Sequence, residues 1–272
     1  MFFKKTTCPN CNAHHDEMSD FCPYCGIRNE ANAEFKLRHP MTFVPWYKEM
    51  TLALVGLIGF TLFNLVFAII FQVILGEAYK ENATYSLMLV NTASYLGFFL
   101  VVVILMAPYL RDIANKFKIP SAYLFGLLGF IVLLGASITM GYIIQVIRPG
   151  TGEGGNQSAV SDMVRNYPWI SILIVGIIGP ICEEVAYRVG LFTLLRRVHP
   201  SLAYIATALI FGFIHFDITS ADLITEFLYL PEYMFAGLVF AFVYDKKGIV
   251  GSSMAHILNN MFSILMILLI VE

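Results

Sequence analysis

The stretch at 169–195, WISILIVGIIGPICEEVAYRVGLFTLL, carries three charges in 27 residues: Glu183, Glu184 and Arg188. A helix needs ~20 apolar residues to cross a bilayer, so this segment is long enough to span one. Charge in hydrocarbon is costly unless it is paired or lines a wet cavity. Three ionisable side chains within about one and a half turns therefore mark a place where the chain does more than pack.

Reading outward, the same apolar character recurs at 50–75, 86–110, 121–147, 202–216, 223–244 and 249–271, giving seven spans in all. The fifth is short and is expected to continue past Asp217, and the sixth to break at Pro231-Glu232. Hydrophobic residues make up 58% of the chain and charged ones 13%, against ~25% charged in soluble proteins, so most of the surface must face lipid. The net charge of −2 offers no footprint for nucleic acid, and none is expected as a partner. The fold class expected is an all-α polytopic membrane protein with about seven transmembrane helices, preceded by a small polar module. The Gly-rich run at 149–157 lacks the Gly-Lys-Ser/Thr ending of a phosphate-binding loop and reads as a flexible connection.

Residues 1–48 hold 6 of the 17 Lys/Arg and 4 of the 5 cysteines. The division expected is a ribbon at 1–28, a linker at 29–48 and a membrane domain at 49–272, with the functional core at about 168–272. Phe2-Phe3-Lys4-Lys5 leads straight into cysteines, without the apolar stretch of a signal peptide. Cys8-Pro9-Asn10-Cys11 and Cys22-Pro23-Tyr24-Cys25 form two Cys-x-x-Cys pairs, the spacing that sets four thiolates around a tetrahedral zinc. So short a segment has too little core to fold without such a staple. The pattern resembles the zinc ribbons at the ends of many bacterial membrane proteins. Cys182, alone in an apolar span, reads as core packing.

Orientation follows from Lys/Arg in the connections. With the N-terminus inside, ten basic residues fall on the inner side (Lys36, Arg38, Lys48, Arg111, Lys116, Lys118, Arg196, Arg197, Lys246, Lys247). Three fall outside (Lys80, Arg148, Arg165). The chain is expected in the cell membrane with its ribbon cytosolic and its C-terminus outside.

Glu183, His215 and His256 lie on three separate spans, near the midpoints of helices drawn at about 170–197, 201–221 and 249–271. They should share a depth within about one turn, ~6 Å. Glu184 and Arg188 are four apart, so the guanidinium can hold that carboxylate on one face, while Glu183 is turned away toward another helix. His256 and Asn260 are also four apart, and Phe211 sits one turn before His215. The bland reading is a buried polar network that only ties helices together, yet structural networks rarely gather two His and two Glu in lipid.

Glu183-Glu184-x-x-x-Arg188, Phe211-x-x-x-His215 and His256-x-x-x-Asn260 stand in this order. The set resembles the three motifs of the CAAX-protease and bacteriocin-processing family of intramembrane endopeptidases. The resemblance implies hydrolysis of a peptide bond in a membrane-associated peptide or protein. It implies Glu183 as the base that activates water, with Glu184 and Arg188 supporting it. His215 would help to hold the water, and His256 with Asn260 would stabilise the oxyanion. Glu183, His215 and His256 also make a possible three-ligand zinc set, though no His-Glu-x-x-His motif is present, and the reading leans to metal-free chemistry. A non-proteolytic immunity or scaffolding protein of the same fold is the alternative. A transporter reading finds no inverted repeat of broken spans to support it.

Overall fold

Residues 5–16, 24–25 and 44–270 are described by a computed structural model of the chain. Cys22 and the linker up to residue 43 lie outside the described residues. At the front, β1 (Lys5–Thr7) and β2 (His14–Asp16) pair antiparallel with Thr6 opposite His15. The turn between them closes through Asn12 N–H on Cys8 O (2.9 Å) and Cys8 N–H on Ala13 O (3.0 Å). Asn12 takes the left-handed φ of 57° that asparagine tolerates.

Among the described residues eight helices follow: α1 (Trp46–Leu75), α2 (Glu77–Glu81), α3 (Ala83–Lys116), α4 (Pro120–Ile147), α5 (Gly155–Asn166), α6 (Pro168–Arg196), α7 (Pro200–Phe213) and α8 (Leu223–Leu269). Pro120, Pro168 and Pro200 open α4, α6 and α7, where the missing N–H costs nothing. Of the most apolar window in α6, 56% is buried, against 6% in α1, so α6 is the central helix and α1 a peripheral one facing lipid. The main core gathers Phe98, Val102, Phe192, Phe211, Phe240 and Tyr244, with Cys182 among them as core packing.

Among the described residues five helices are long and apolar enough to cross a membrane (α1, α3, α4, α6 and α8), where seven spans are expected from the sequence. Two local features account for the difference. α8 runs 47 residues through Pro231 without a break. The kink at Gly248 (φ 73°, ψ −169°) falls in the connection expected between the sixth and seventh spans and divides α8 into arms at 223–247 and 249–269. Breaking a helix in hydrocarbon exposes several backbone groups, a larger cost than the one bond a proline removes. α7 has 14 residues, about 21 Å, and ends at Phe213 rather than continuing past Asp217. The Gly-rich run at 149–157, expected as a flexible connection, gives way at Gly155 to the helix α5.

Ion pairs tie the two ends of the bundle. At one end Arg197 clasps the buried Glu49 (2.6 and 2.8 Å), Arg196 meets Asp245 (2.6 Å), and Tyr204 donates to the same aspartate (3.1 Å). At the other, Arg148 pairs with Asp222 (2.6 Å), and the Arg148 and Thr225 hydrogen bonds hold that carboxyl down at about 2. Glu226 there accepts from the backbone N–H of Gly155 (2.6 Å) and Asp217 (3.0 Å), joining α5 to the segment after α7.

Candidate functional site

α6 carries Glu183 and Glu184 between two π-helical turns, Ile174–Ile178 and Val185–Phe192. Such widened turns are rare and concentrate at functional sites. The second lies flush against α1 because residue 190 is glycine: a Cβ there would stand 2.7 Å from Ala53 N and 3.0 Å from Glu49 O. The wide turn is wholly buried, Arg188 included.

Glu184 and Arg188 are both fully buried, with Arg188 Nε 3.4 Å from Glu184 Oε2. The guanidinium carbon lies 5.2 Å from the ring centroid of Phe211 and 5.7 Å from that of Phe240, so two aromatic faces cover the cation. No hydrogen-bond partner among the described residues reaches its two outer nitrogens. His256 brings Nδ1 to 3.1 Å from Glu184 Oε1, and its ring stacks on Phe240 at 4.3 Å. A carboxylate only accepts, so Nδ1 carries a proton there.

Glu183 points elsewhere, as its turn of about 100° from Glu184 requires. Its Oε1 accepts from the Tyr95 hydroxyl at 2.8 Å, and its Oε2 lies 3.9 Å from His256 Nε2. The Glu183 side chain retains 13% exposure and that of Glu184 none. His215 stands two residues beyond the end of α7, not within a long span as the sequence suggests. Its Nδ1 donates to the Phe211 carbonyl (2.8 Å), which leaves Nε2 as an acceptor. The ring sits between Phe211 (4.7 Å) and Tyr233 (4.8 Å, nearly parallel). Asn260 donates one amide N–H to Val175 O (2.9 Å) in the first π turn, rather than to the ring of His256.

The structure thus brings Glu183, Glu184, Arg188, Phe211, His215 and His256 into one cluster and anchors Asn260 to the helix that carries the acids. Tyr95, Tyr233 and Phe240 complete it, and sequence reasoning passed over all three. An aromatic in an apolar span has no local pattern that separates a site partner from a core side chain. Tyr233 and Phe240 share α8 with His256 and Asn260, whereas Tyr95 lies on a helix without a recognised motif.

The polar module holds a second candidate centre. Cys8 Sγ and Cys25 Sγ lie 3.6 Å apart, and with Cys11 their ligand atoms all fall within 4.8 Å of one another. Thiolates ~2.3 Å from a tetrahedral zinc are ~3.8 Å apart, so this trio can hold a metal ion. Among the described residues it is the only such group of three His, Cys, Asp or Glu. The fourth expected ligand, Cys22, lies outside the described residues.

Residues 165–262 match the family described as Type II CAAX prenyl endopeptidase Rce1-like. The match takes in every residue of the three motifs. Among curated proteins, YdiL of Bacillus subtilis (strain 168), named as a membrane peptidase, is 26% identical over 70% of this chain and 76% of its own length. The membrane-embedded CAAX protease MroQ of Staphylococcus aureus (strain USA300) is 28% identical over 57% of this chain and 60% of its own. An uncharacterized protein of Mycoplasma capricolum subsp. capricolum is 25% identical over 86% and 71%. No solved structure matches the chain significantly.

Proposed function

We propose that the chain is an intramembrane endopeptidase that hydrolyses a peptide bond in a membrane-associated peptide or protein through water activated by Glu183. The observation that carries this reading is the division of labour between the two acids. Glu184 is buried, paired to Arg188 and bonded to His256, while Glu183 keeps one oxygen facing a histidine nitrogen at 3.9 Å. That gap is too long for a direct hydrogen bond and within the span of a shared water.

In this reading the water gives one proton to Glu183 Oε2 and a hydrogen bond to His215 Nε2. Its oxygen adds to the substrate carbonyl carbon. The carbonyl oxygen becomes an oxyanion, for which protonated His256 Nε2 and the second N–H of Asn260 are the donors. Glu183 then passes its proton to the departing amine, and peptide plus water becomes acid plus amine. Glu184 orients the His256 ring through Nδ1. In this reading Glu183 acts as a base in metal-free chemistry rather than as a metal ligand. Comparing membranes that hold the wild type with membranes that hold Glu183→Gln, by mapping protein termini, should reveal substrates that accumulate uncut. Two internally quenched peptides, one prenylated at a C-terminal Cys-aliphatic-aliphatic-X and one unlipidated, test the substrate class.

The reading also places the 1–28 module and the Arg196/Lys246 end of the bundle in the cytosol. With native cysteines replaced by Ser, Lys118→Cys and Lys246→Cys should react with an impermeant maleimide only after permeabilisation, and Gly152→Cys in intact cells. The opposite pattern would invert the topology.

The metal of the module is zinc in this proposal, held by Cys8, Cys11, Cys22 and Cys25. Purified protein should carry about one zinc per chain by elemental analysis, and Cys8→Ser/Cys25→Ser about none, with Glu183→Gln unchanged. Zinc that survives the double substitution and leaves with Glu183→Gln would place a metal at the intramembrane site.

A further inference from the structure

We infer that Tyr95 is a positioning residue for Glu183 that fixes which carboxylate oxygen serves as the base; the inference rests on the protease reading above. Tyr95 lies on α3, outside the residues the family match covers, and 88 positions from its partner. Its hydroxyl donates to Glu183 Oε1 at 2.8 Å. The hydroxyl is placed by packing from two other helices. The Tyr95 ring lies 4.6 Å from that of Phe60 on α1. Against α6 it rests on Gly179, one turn before Glu183, where an added Cβ would come within 3.2 Å of the ring.

A carboxylate at the end of a flexible side chain has a broad terminal torsion and presents either oxygen. With Oε1 engaged by a hydroxyl whose ring is clamped, only Oε2 is turned toward His256. Proton transfer from water depends on such alignment, and a charge-assisted hydrogen bond is among the stronger ways to hold it. Tyr95 neither gains nor loses a proton in this scheme. It acts through Glu183 and touches no reacting atom.

The test uses full-length protein in proteoliposomes with the two quenched peptides described above, comparing wild type, Tyr95→Phe and Glu183→Gln. Phenylalanine keeps the contacts with Phe60 and Gly179 and deletes only the hydroxyl. We expect kcat to fall about 10-fold or more, with KM within about 2-fold of wild type and an unchanged melting temperature. Wild-type kcat in Tyr95→Phe beside an inactive Glu183→Gln would overturn the role of Tyr95 and leave the protease reading standing. A raised KM or a lowered melting temperature that accounts for the loss would also overturn it, since it would make the hydroxyl a binding or folding group. Cleavage of neither peptide by wild type, or full cleavage by Glu183→Gln, would remove the protease reading and this inference together.

Discussion

Glu183→Gln is expected to slow cleavage at least ~10²-fold while the protein folds and inserts as wild type does. The substitution keeps the volume and an oxygen for the Tyr95 hydroxyl, and removes the lone pair that takes water's proton. The side chain is partly exposed and stands outside the Glu184–Arg188 pair, so its neutralisation leaves no buried charge without its partner. The loss should appear in kcat, because the interaction removed exists in the transition state and not in substrate binding. A quenched peptide in proteoliposomes reads the rate, and thermal melting in the same preparation reads the fold. Turnover at the wild-type rate would end the assignment of Glu183 as base. A coincident collapse in melting temperature would mean that the carboxylate was structural after all.

How much of this site the sequence discloses depends on whether a contact is local or distant along the chain. Glu184 with Arg188 and Phe211 with His215 are neighbours one helical turn apart, so spacing alone places each pair on a common face. That three separate elements converge could be argued from depth, and it holds for Glu183 and His256, 3.9 Å apart. His215 reaches the site from a different element than its expected span, because α7 stops at Phe213 and the histidine stands in the turn after it. Tyr95 was illegible for a plain reason. In an apolar helix a tyrosine at the protein core, at a lipid face and at a carboxylate looks the same until packing sets its neighbours. Pro231 shows the same limit in the backbone. Soluble-protein experience makes proline the breaker, but hydrocarbon penalises every freed backbone group, so the helix passes Pro231, and the kink comes at Gly248, in the connection that the spans at 223–244 and 249–271 leave between them. The wide π turn around Arg188 gives no sequence signal that residue spacing can detect.

Arg188→Met should cost far more stability than its lost contacts suggest, and the loss should be rescued by Glu184→Gln. Arg188 is fully buried and meets three groups: the Glu184 carboxylate at 3.4 Å and the faces of Phe211 and Phe240. Methionine can fill much of the space between the two rings, so packing is largely conserved. What remains is Glu184, wholly buried, with His256 Nδ1 at 3.1 Å and the neutral Ser252 hydroxyl as its other partners. Removing one member of a buried ion pair typically costs about 3–5 kcal/mol because the other is stranded, whereas replacing both is often neutral. Against the ~5–15 kcal/mol that holds an ordinary domain, the single substitution should sharply reduce folded yield and lower the melting temperature in detergent. Glu184→Gln/Arg188→Met should melt close to wild type, since the amide oxygen still accepts from His256. Arg188→Lys should rescue poorly, for an ammonium has no planar face to lie between two rings. The double variant also separates the two meanings of the buried network. If the pair only ties helices together, the rescued protein cleaves normally. If Glu184 sets the charge and orientation of His256 for catalysis, the rescued protein is folded and slow, and that is the outcome expected here.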